Sequence, residues 1–310
     1  MTPYLTFGTN WIYVSVDNSP DRTIIPSQKA DFFIFGGLIR DVWFDTKNRV
    51  HIEKVLVQTP RVDDASASTE ISLIMSENAY GVIGASIYSK DGEEVARTRK
   101  SVRGLKEVTF SMPNLRKPQL WSPKNPYLYT LQVTYSEPKG GVKDSKEEQI
   151  GYRFYRFDDN GPFYLNGVRT KLRGTHLHEE YAGYGAAMPD SLRLKDLGMI
   201  KDMGANFGRL AHYPQDPSVY KACDSLGLMV WDELPWCRGG IGDKEWRTNT
   251  VKLLEEQVEQ NYNHPSIMFW SLGNEVYWLP DFPGGDNRDS INSFLLKMND
   301  RVHDLDPGRF

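Results

Sequence analysis

The 310-residue chain sets 37 Lys and Arg against 41 Asp and Glu, a formal charge of -4, with 39% apolar and 12% aromatic residues. Such a balance can bury real cores and has no long single-sign block, so a nucleic-acid partner held through phosphate contacts is not expected. A mean hydropathy of -0.53, no run of about 18 apolar residues and no basic-then-apolar N-terminus leave no membrane span or signal peptide visible, while a signal upstream of Met1, and with it the compartment, stays open.

Residues 1–45 carry β-rich alternation, as in Asn10-Trp11-Ile12-Tyr13-Val14-Ser15-Val16, followed by turn signals at Asp17-Asn18-Ser19-Pro20. Too few strands fit here to close a sandwich, so the segment is expected to be the end of a β-sandwich that begins earlier. Residues 46–157 repeat short strands between turns: His51 to Thr59, Glu70 to Ser76, Gly84 to Ser89, Glu107 to Phe110 and Tyr127 to Tyr135. With hairpin-type turns at Asp91-Gly92 and Lys139-Gly140-Gly141 this is an immunoglobulin-like sandwich pattern, expected to act as a spacer.

After Asp158-Asp159-Asn160-Gly161 the pattern becomes strand, loop, helix. Strands are predicted at Lys171 to Thr175, Asn206 to Leu210, Leu228 to Trp231 and Ile267 to Ser271. Helices are predicted at Ser191 to Met203, capped by Asp190, from Asp216-Pro217 to Gly227, at Asp243 to Tyr262 and at Asp289 to Leu305. An (β/α)8 barrel needs about 250 residues, so residues 158–310 hold its first four units and the chain reads as part of a longer protein. Of the two cysteines, Cys223 reads as helix packing and Cys237 as a loop thiol; neither spacing suits a disulfide framework or a zinc site.

Each predicted barrel strand ends in polar residues: His176, His178 and Glu179; His212; Asp232 and Glu233; Asn274 and Glu275. In a parallel barrel these ends share one rim, so they are expected to form one polar pocket. No Gly-rich phosphate loop accompanies them.

The ordered set of motifs resembles glycoside hydrolase family 2, the β-galactosidases, β-glucuronidases and β-mannosidases. It comprises Phe35-Gly36-Gly37-Leu38-Ile39-Arg40-Asp41-Val42, Leu120-Trp121-Ser122-Pro123-Lys124-Asn125-Pro126-Tyr127, Leu165-Asn166-Gly167, Arg173-Gly174-Thr175-His176-Leu177-His178-Glu179, Arg209-Leu210-Ala211-His212-Tyr213-Pro214, Trp231-Asp232-Glu233 and Trp270-Ser271-Leu272-Gly273-Asn274-Glu275. The resemblance implies a multi-domain β plus α/β chain: a partial jelly-roll β-sandwich, an immunoglobulin-like β-sandwich and the first half of a TIM barrel. It implies Glu275 as general acid/base, which requires a raised pKa of the kind that a water-poor rim beside Trp270 would provide. It implies Asn274 as the amide that bonds the sugar 2-hydroxyl, and Arg209, His212, His178 and Asp31 as pocket residues. Asp232 and Glu233 read equally as substrate contacts and as salt-bridge partners of Arg209. Arg209 with His212 also reads as a buried pair, Asp31 as a turn residue, and His176 as packing.

A retaining glycosidase needs a second carboxylate about 5–5.5 Å from the acid. In the family it comes from a later barrel strand, so the nucleophile lies outside this chain and the 310-residue piece alone is expected to be inactive. Residues 234–239 lack the Glu and His that hold magnesium in β-galactosidases, and no metal or other cofactor is expected. The expected partner is an oligosaccharide or other β-glycoside; self-association is left open. β-Galactosidase leads among the specificities, followed by β-glucuronidase and β-mannosidase. A non-catalytic carbohydrate-binding or scaffold protein is the competing reading of another class.

Overall fold

A computed structural model describes residues 4–138 and 140–309. Residues 5–51 contain no helix or strand, and the alternating run Asn10 to Val16 stays exposed, outside any ladder. The expected strand is missing for a simple reason: its N–H and C=O groups need a neighbouring strand, and no described segment lies alongside to supply one. Side chains instead tie this segment to the barrel. Ser27 Oγ donates to Asp281 Oδ2 at 2.6 Å, Asn249 Nδ2 to the Thr23 carbonyl at 2.9 Å, and Arg40 Nη2 to Glu179 Oε2 at 2.6 Å.

The sandwich consists of β1 (Ile52–Gln58), β2 (Ser66–Ala67), β3 (Glu70–Tyr88), β4 (Glu94–Ser111), β5 (Leu115–Arg116), β6 (Tyr129–Ser136) and β7 (Val142–Ile150). The strands expected at Glu70 to Ser76 and Gly84 to Ser89 are one 19-residue strand, β3, paired antiparallel with β4 along both halves. On its other edge β3 pairs with β1 and then with β6, so the long hairpin links two partners in one sheet. Gly81 sits where β3 changes partner; a Cβ there would meet the Ser136 carbonyl oxygen at 2.1 Å, so only glycine allows that approach. The Asp91-Gly92 turn forms as expected, with the Gly92 N–H donating to the Ser89 carbonyl at 2.9 Å. Of the other expected turn, Lys139 lies outside the described residues, and Gly140 and Gly141 lead into β7. Alternate residues of β1, β3 and β6 bury Ile52, Leu73, Ile83, Ile87, Leu131 and Val133 in one core.

A small sheet follows: β8 (Tyr155–Phe157), β9 (Phe163–Leu165) and β10 (Val168–Arg169). Phe163 and Leu165 pack against Trp121, Met229 and Met268. Trp121 is fully buried and its Nε1 donates to the Asp224 carbonyl at 2.8 Å, joining the sandwich loop to a barrel helix.

The barrel part alternates β11 (Gly174–Leu177), α1 (Asp190–Asp202), β12 (Phe207–Leu210), α2 (Pro217–Leu226), β13 (Met229–Glu233), α3 (Lys244–Asn261), β14 (Ile267–Ser271) and α4 (Arg288–Leu305). The four strands run parallel in chain order. Leu210, Val230, Ile267 and Trp270 on one sheet face pack with Val219, Leu254, Ile291 and Met298 of the helices. Asp216, Asp243 and Asn287 cap α2, α3 and α4 through their side chains. Two expectations shift. Pro189, not Asp190, is the N-cap of α1, and the Asp190 carboxylate turns to Arg193 and the Ser218 hydroxyl. The first strand begins at Gly174 because Asn206 bonds through its side chain to the Arg173 N–H and the Lys171 carbonyl, where the neighbouring strand has not yet begun. Among the described residues no helix is long and apolar enough to cross a membrane.

Candidate active site

Strand alternation decides which polar ends meet. On β13, Glu233 faces the concave side of the sheet with Arg209 of β12, while its neighbour Asp232 faces the helices. Glu233 is fully buried and is met by Arg209 Nε at 2.9 Å and Nη2 at 2.8 Å, Trp231 Nε1 at 3.0 Å, Ser271 Oγ at 3.2 Å and His212 Nδ1 at 2.5 Å. Burial alone would raise this carboxyl; the hydrogen bonds from His212 and Arg209 and the Arg209 charge outweigh it, and its pKa lies below the ordinary value. Because an ionised carboxylate only accepts, the network assigns the His212 proton to Nδ1.

Arg209 extends the order outward. Its Nη2 donates to Asn274 Oδ1 at 2.8 Å, so the Asn274 amide presents its N–H side elsewhere; one contact runs from Nδ2 to Cys237 Sγ at 3.6 Å. Glu275 follows on a left-handed residue, φ 49, after Gly273 at φ 151. A Cβ on Gly273 would lie 2.7 Å from the Trp236 carbonyl oxygen, so the tight turn that aims Glu275 depends on that glycine.

Glu275 Oε2 accepts from Arg238 Nε at 2.7 Å, and Arg238 Nη2 donates to Asp31 Oδ2 at 2.7 Å. Residues from three remote parts of the chain thus share one guanidinium. Arg238 is an addition to the residues expected from sequence; its position just beyond the Asp232-Glu233 strand end is the signal that marks it. Phe32, beside Asp31, is a second addition, its ring 4.9 Å from Tyr213, 5.8 Å from His178 and 6.1 Å from His212. His178 and His212 are 5.3 Å apart in a T-shaped contact, and burial, then the His212 charge, lowers the His178 pKa.

The structure therefore gathers Glu275, Asn274, Arg209, His212, His178, Glu233 and Asp31 on one rim. Asp232 is a correction. It is fully buried, accepts from Tyr220 Oη at 2.7 Å and Asn261 Nδ2 at 3.0 Å, and braces α2 and α3 instead of lining the pocket. Its pKa is raised, chiefly by burial. Trp270 is another: its indole donates to Asp306 Oδ2 at 2.9 Å on the helix side, so Arg238 and not Trp270 is the group beside Glu275. His176, on β11, has its ring 6.2 Å from that of His178 in an edge contact. Glu179 is buried between Arg40 and Arg193, both at 2.6 Å, where it anchors the N-terminal segment.

Asp31, His212 and Cys237 offer ligand atoms within 4.8 Å of one another. A cation placed among them would meet the guanidinium of Arg238 on Asp31, at 2.7 Å, and that of Arg209 on His212, at 3.1 Å, which opposes it electrostatically.

Residues 158–309 match the model of the TIM barrel domain of glycosyl hydrolases family 2, and residues 50–153 match a further model of glycosyl hydrolases family 2. The chain belongs to glycosyl hydrolase family 2. A Formosa agariphila protein provisionally named a β-glucuronidase is 51% identical over 100% of the chain, which spans 38% of that protein. A β-galactosidase of Thermoanaerobacter pseudethanolicus is 31% identical over 100% of the chain and 41% of its own length. The solved apo structure of Bacteroides uniformis β-glucuronidase 3 superposes with a TM-score of 0.88 at 38% identity, covering 95% of this chain and 37% of that one. The family 2 chain thus spans well under half of these relatives, and the sandwich followed by barrel units expected from its motifs is the architecture it has.

Proposed function

We propose that the chain forms part of a retaining exo-β-glycosidase in which Glu275 is the general acid/base. The observation that carries this is the ordered rim: buried Glu233 fixes Arg209, Arg209 fixes the Asn274 amide, and Glu275 follows on a constrained turn beside it. Asn274 is placed to donate to a sugar hydroxyl while Glu275 protonates the leaving oxygen, forming its O–H bond as the glycosidic C–O bond breaks. A second carboxylate from a barrel strand beyond this chain takes the anomeric carbon, and Glu275 then removes a proton from the water that releases the sugar. His178 and His212 line the sugar side, and Asp31 reaches it from the N-terminal segment.

Terminal β-glucuronides are the leading substrates, supported by the 51% identical relative and the neighbour at 38% identity, both named for that activity. β-Galactosides are the second reading, supported by the relative at 31% identity and by Asp31. Arg209 and Arg238 are both already paired with carboxylates, so a uronate would draw its cation from elsewhere in the longer protein. The division into parts 1–45, 46–157 and 158–310 belongs to the same proposal; its second boundary is supported by the gap at residues 154–157 between the two family matches, and its first by the start of the earlier match at residue 50.

The test is a panel of aryl β-glycosides offered to the protein produced at the length of its relatives. Glu275→Gln is expected to lower turnover of substrates with poor leaving groups by about 10²–10⁴-fold. Unchanged turnover of such substrates would remove Glu275 from the role.

A further inference from the structure

Glu275 borders a second hollow, outside the Arg209 and Asn274 pocket. The segment after β14 forms a cleft of about 400 Å³ lined by Glu275, Tyr277, Trp278, Asp286 and Arg288. Two aromatic rings stand open in it, Trp278 at 58% and Tyr277 at 38% exposure. Large exposed aromatics are costly to hydrate, and loose ones are commonplace; these two are held. Tyr277 donates to Asn292 Oδ1 at 2.5 Å and lies under the Arg288 guanidinium at 5.6 Å. The Trp278 ring lies 5.5 Å from the Arg238 guanidinium that also binds Glu275. The same arginine thus orders the acid and the platform.

An acid that protonates a glycosidic oxygen stands at the bond being cut, with the departing group on the far side from the retained sugar. With the sugar against Asn274, the departing group of a substrate lies toward the Trp278 cleft. We propose that this cleft is a leaving-group subsite for a pyranose ring, so that the substrate is an oligosaccharide. The apolar C–H face of the ring stacks on Trp278, while Asp286 accepts from its hydroxyls and Arg288 donates to them. The cleft matches the roughly 300–1,000 Å³ usual for small-molecule sites at its lower end, room for one sugar. The proposal rests on the glycosidase reading of Glu275 and adds the chemical class of the departing group.

The experiment uses the protein at the length of its relatives, with Glu275→Gln in every sample to suppress turnover. Calorimetry compares lactose with methyl β-galactoside, and a β-glucuronyl disaccharide with methyl β-glucuronide. The disaccharide of the accepted sugar is expected to bind more tightly than its methyl glycoside. Trp278→Ala is expected to weaken the disaccharide about five- to tenfold while leaving the methyl glycoside unchanged, and Trp278→Phe to restore most of the loss. Equal weakening of both ligands, or a disaccharide no tighter than the methyl glycoside, overturns the subsite and leaves the glycosidase reading standing. Binding of neither methyl glycoside nor disaccharide in any pair overturns the β-glucuronide and β-galactoside readings, and the subsite falls with them. Trp278 is exposed, so its replacement does not threaten folding.

Discussion

Glu233 is the residue on which the rim depends, because five donor contacts from four side chains converge on one buried carboxylate. Glu233→Gln leaves Arg209 without its charge partner. Since Arg209 is 32% exposed in its side chain, the cost falls below that of a fully buried pair, about 2–3 kcal/mol, readable as a lower urea midpoint. The pH dependence has a definite sign. A carboxyl whose pKa is lowered by folding stabilises the native state above its unfolded value, and that contribution is lost as pH falls through the folded value. The wild type is therefore expected to lose stability below about pH 4.5, and Glu233→Gln to show a shallower acid limb; identical limbs would contradict the lowered pKa. Asp232 and Glu233 were both legible as strand-end acids. The alternation of β13 separates them, but choosing between the faces required seeing Arg209 on one side and Tyr220 with Asn261 on the other. Arg238 carries no periodic signal at all, since it sits in a loop at φ 59.

At the scale of elements, Trp121 ties the sandwich loop to α2. Trp121→Ala removes a fully buried indole and its bond to the Asp224 carbonyl, at a cost of about 3–5 kcal/mol. Hydrogen exchange is expected to rise in Met229 and the α2 backbone as well as around Tyr152, whose carbonyl accepts from the Trp121 N–H at 2.8 Å; an increase confined to the sandwich would show that the joint contributes little. Gly81→Ala places a Cβ against backbone and is expected to lower the melting temperature, by about 1–3 kcal/mol in stability, whereas Gly92→Ala meets no neighbour and is affected only through its φ of 83. Strands with apolar alternation, such as β1 and β6, were legible in the sequence. β7 was not: its residues Val142–Ile150 are mostly polar and charged, and it is held by pairing with β6, not by burial. The two expected strands Glu70 to Ser76 and Gly84 to Ser89 join as β3 because the polar Ser76-Glu77-Asn78 stretch between them is taken up as an irregularity within one strand. Of the helix starts, Asp216 caps α2 as its Asp-Pro pair suggests, whereas α1 starts at Pro189 without a side-chain cap and α4 is capped by Asn287, two residues before the expected start at Asp289.

For the whole molecule, three separated regions meet at one guanidinium: Asp31 of the N-terminal segment, Arg238 after β13 and Glu275 after β14. The motif order made the family and the barrel units legible; the N-terminal strands were not realised because pairing is a property of neighbours, not of alternation. The measurement that tests the central claim most directly is azide rescue of Glu275→Gly in the protein at the length of its relatives. Azide needs no general base, so it attacks a glycosyl-enzyme that water cannot, and the account predicts that turnover of an activated aryl β-glycoside recovers with formation of the β-glycosyl azide. An α-glycosyl azide, or no recovery with wild-type-like activity retained in the variant, would contradict Glu275 as the acid/base.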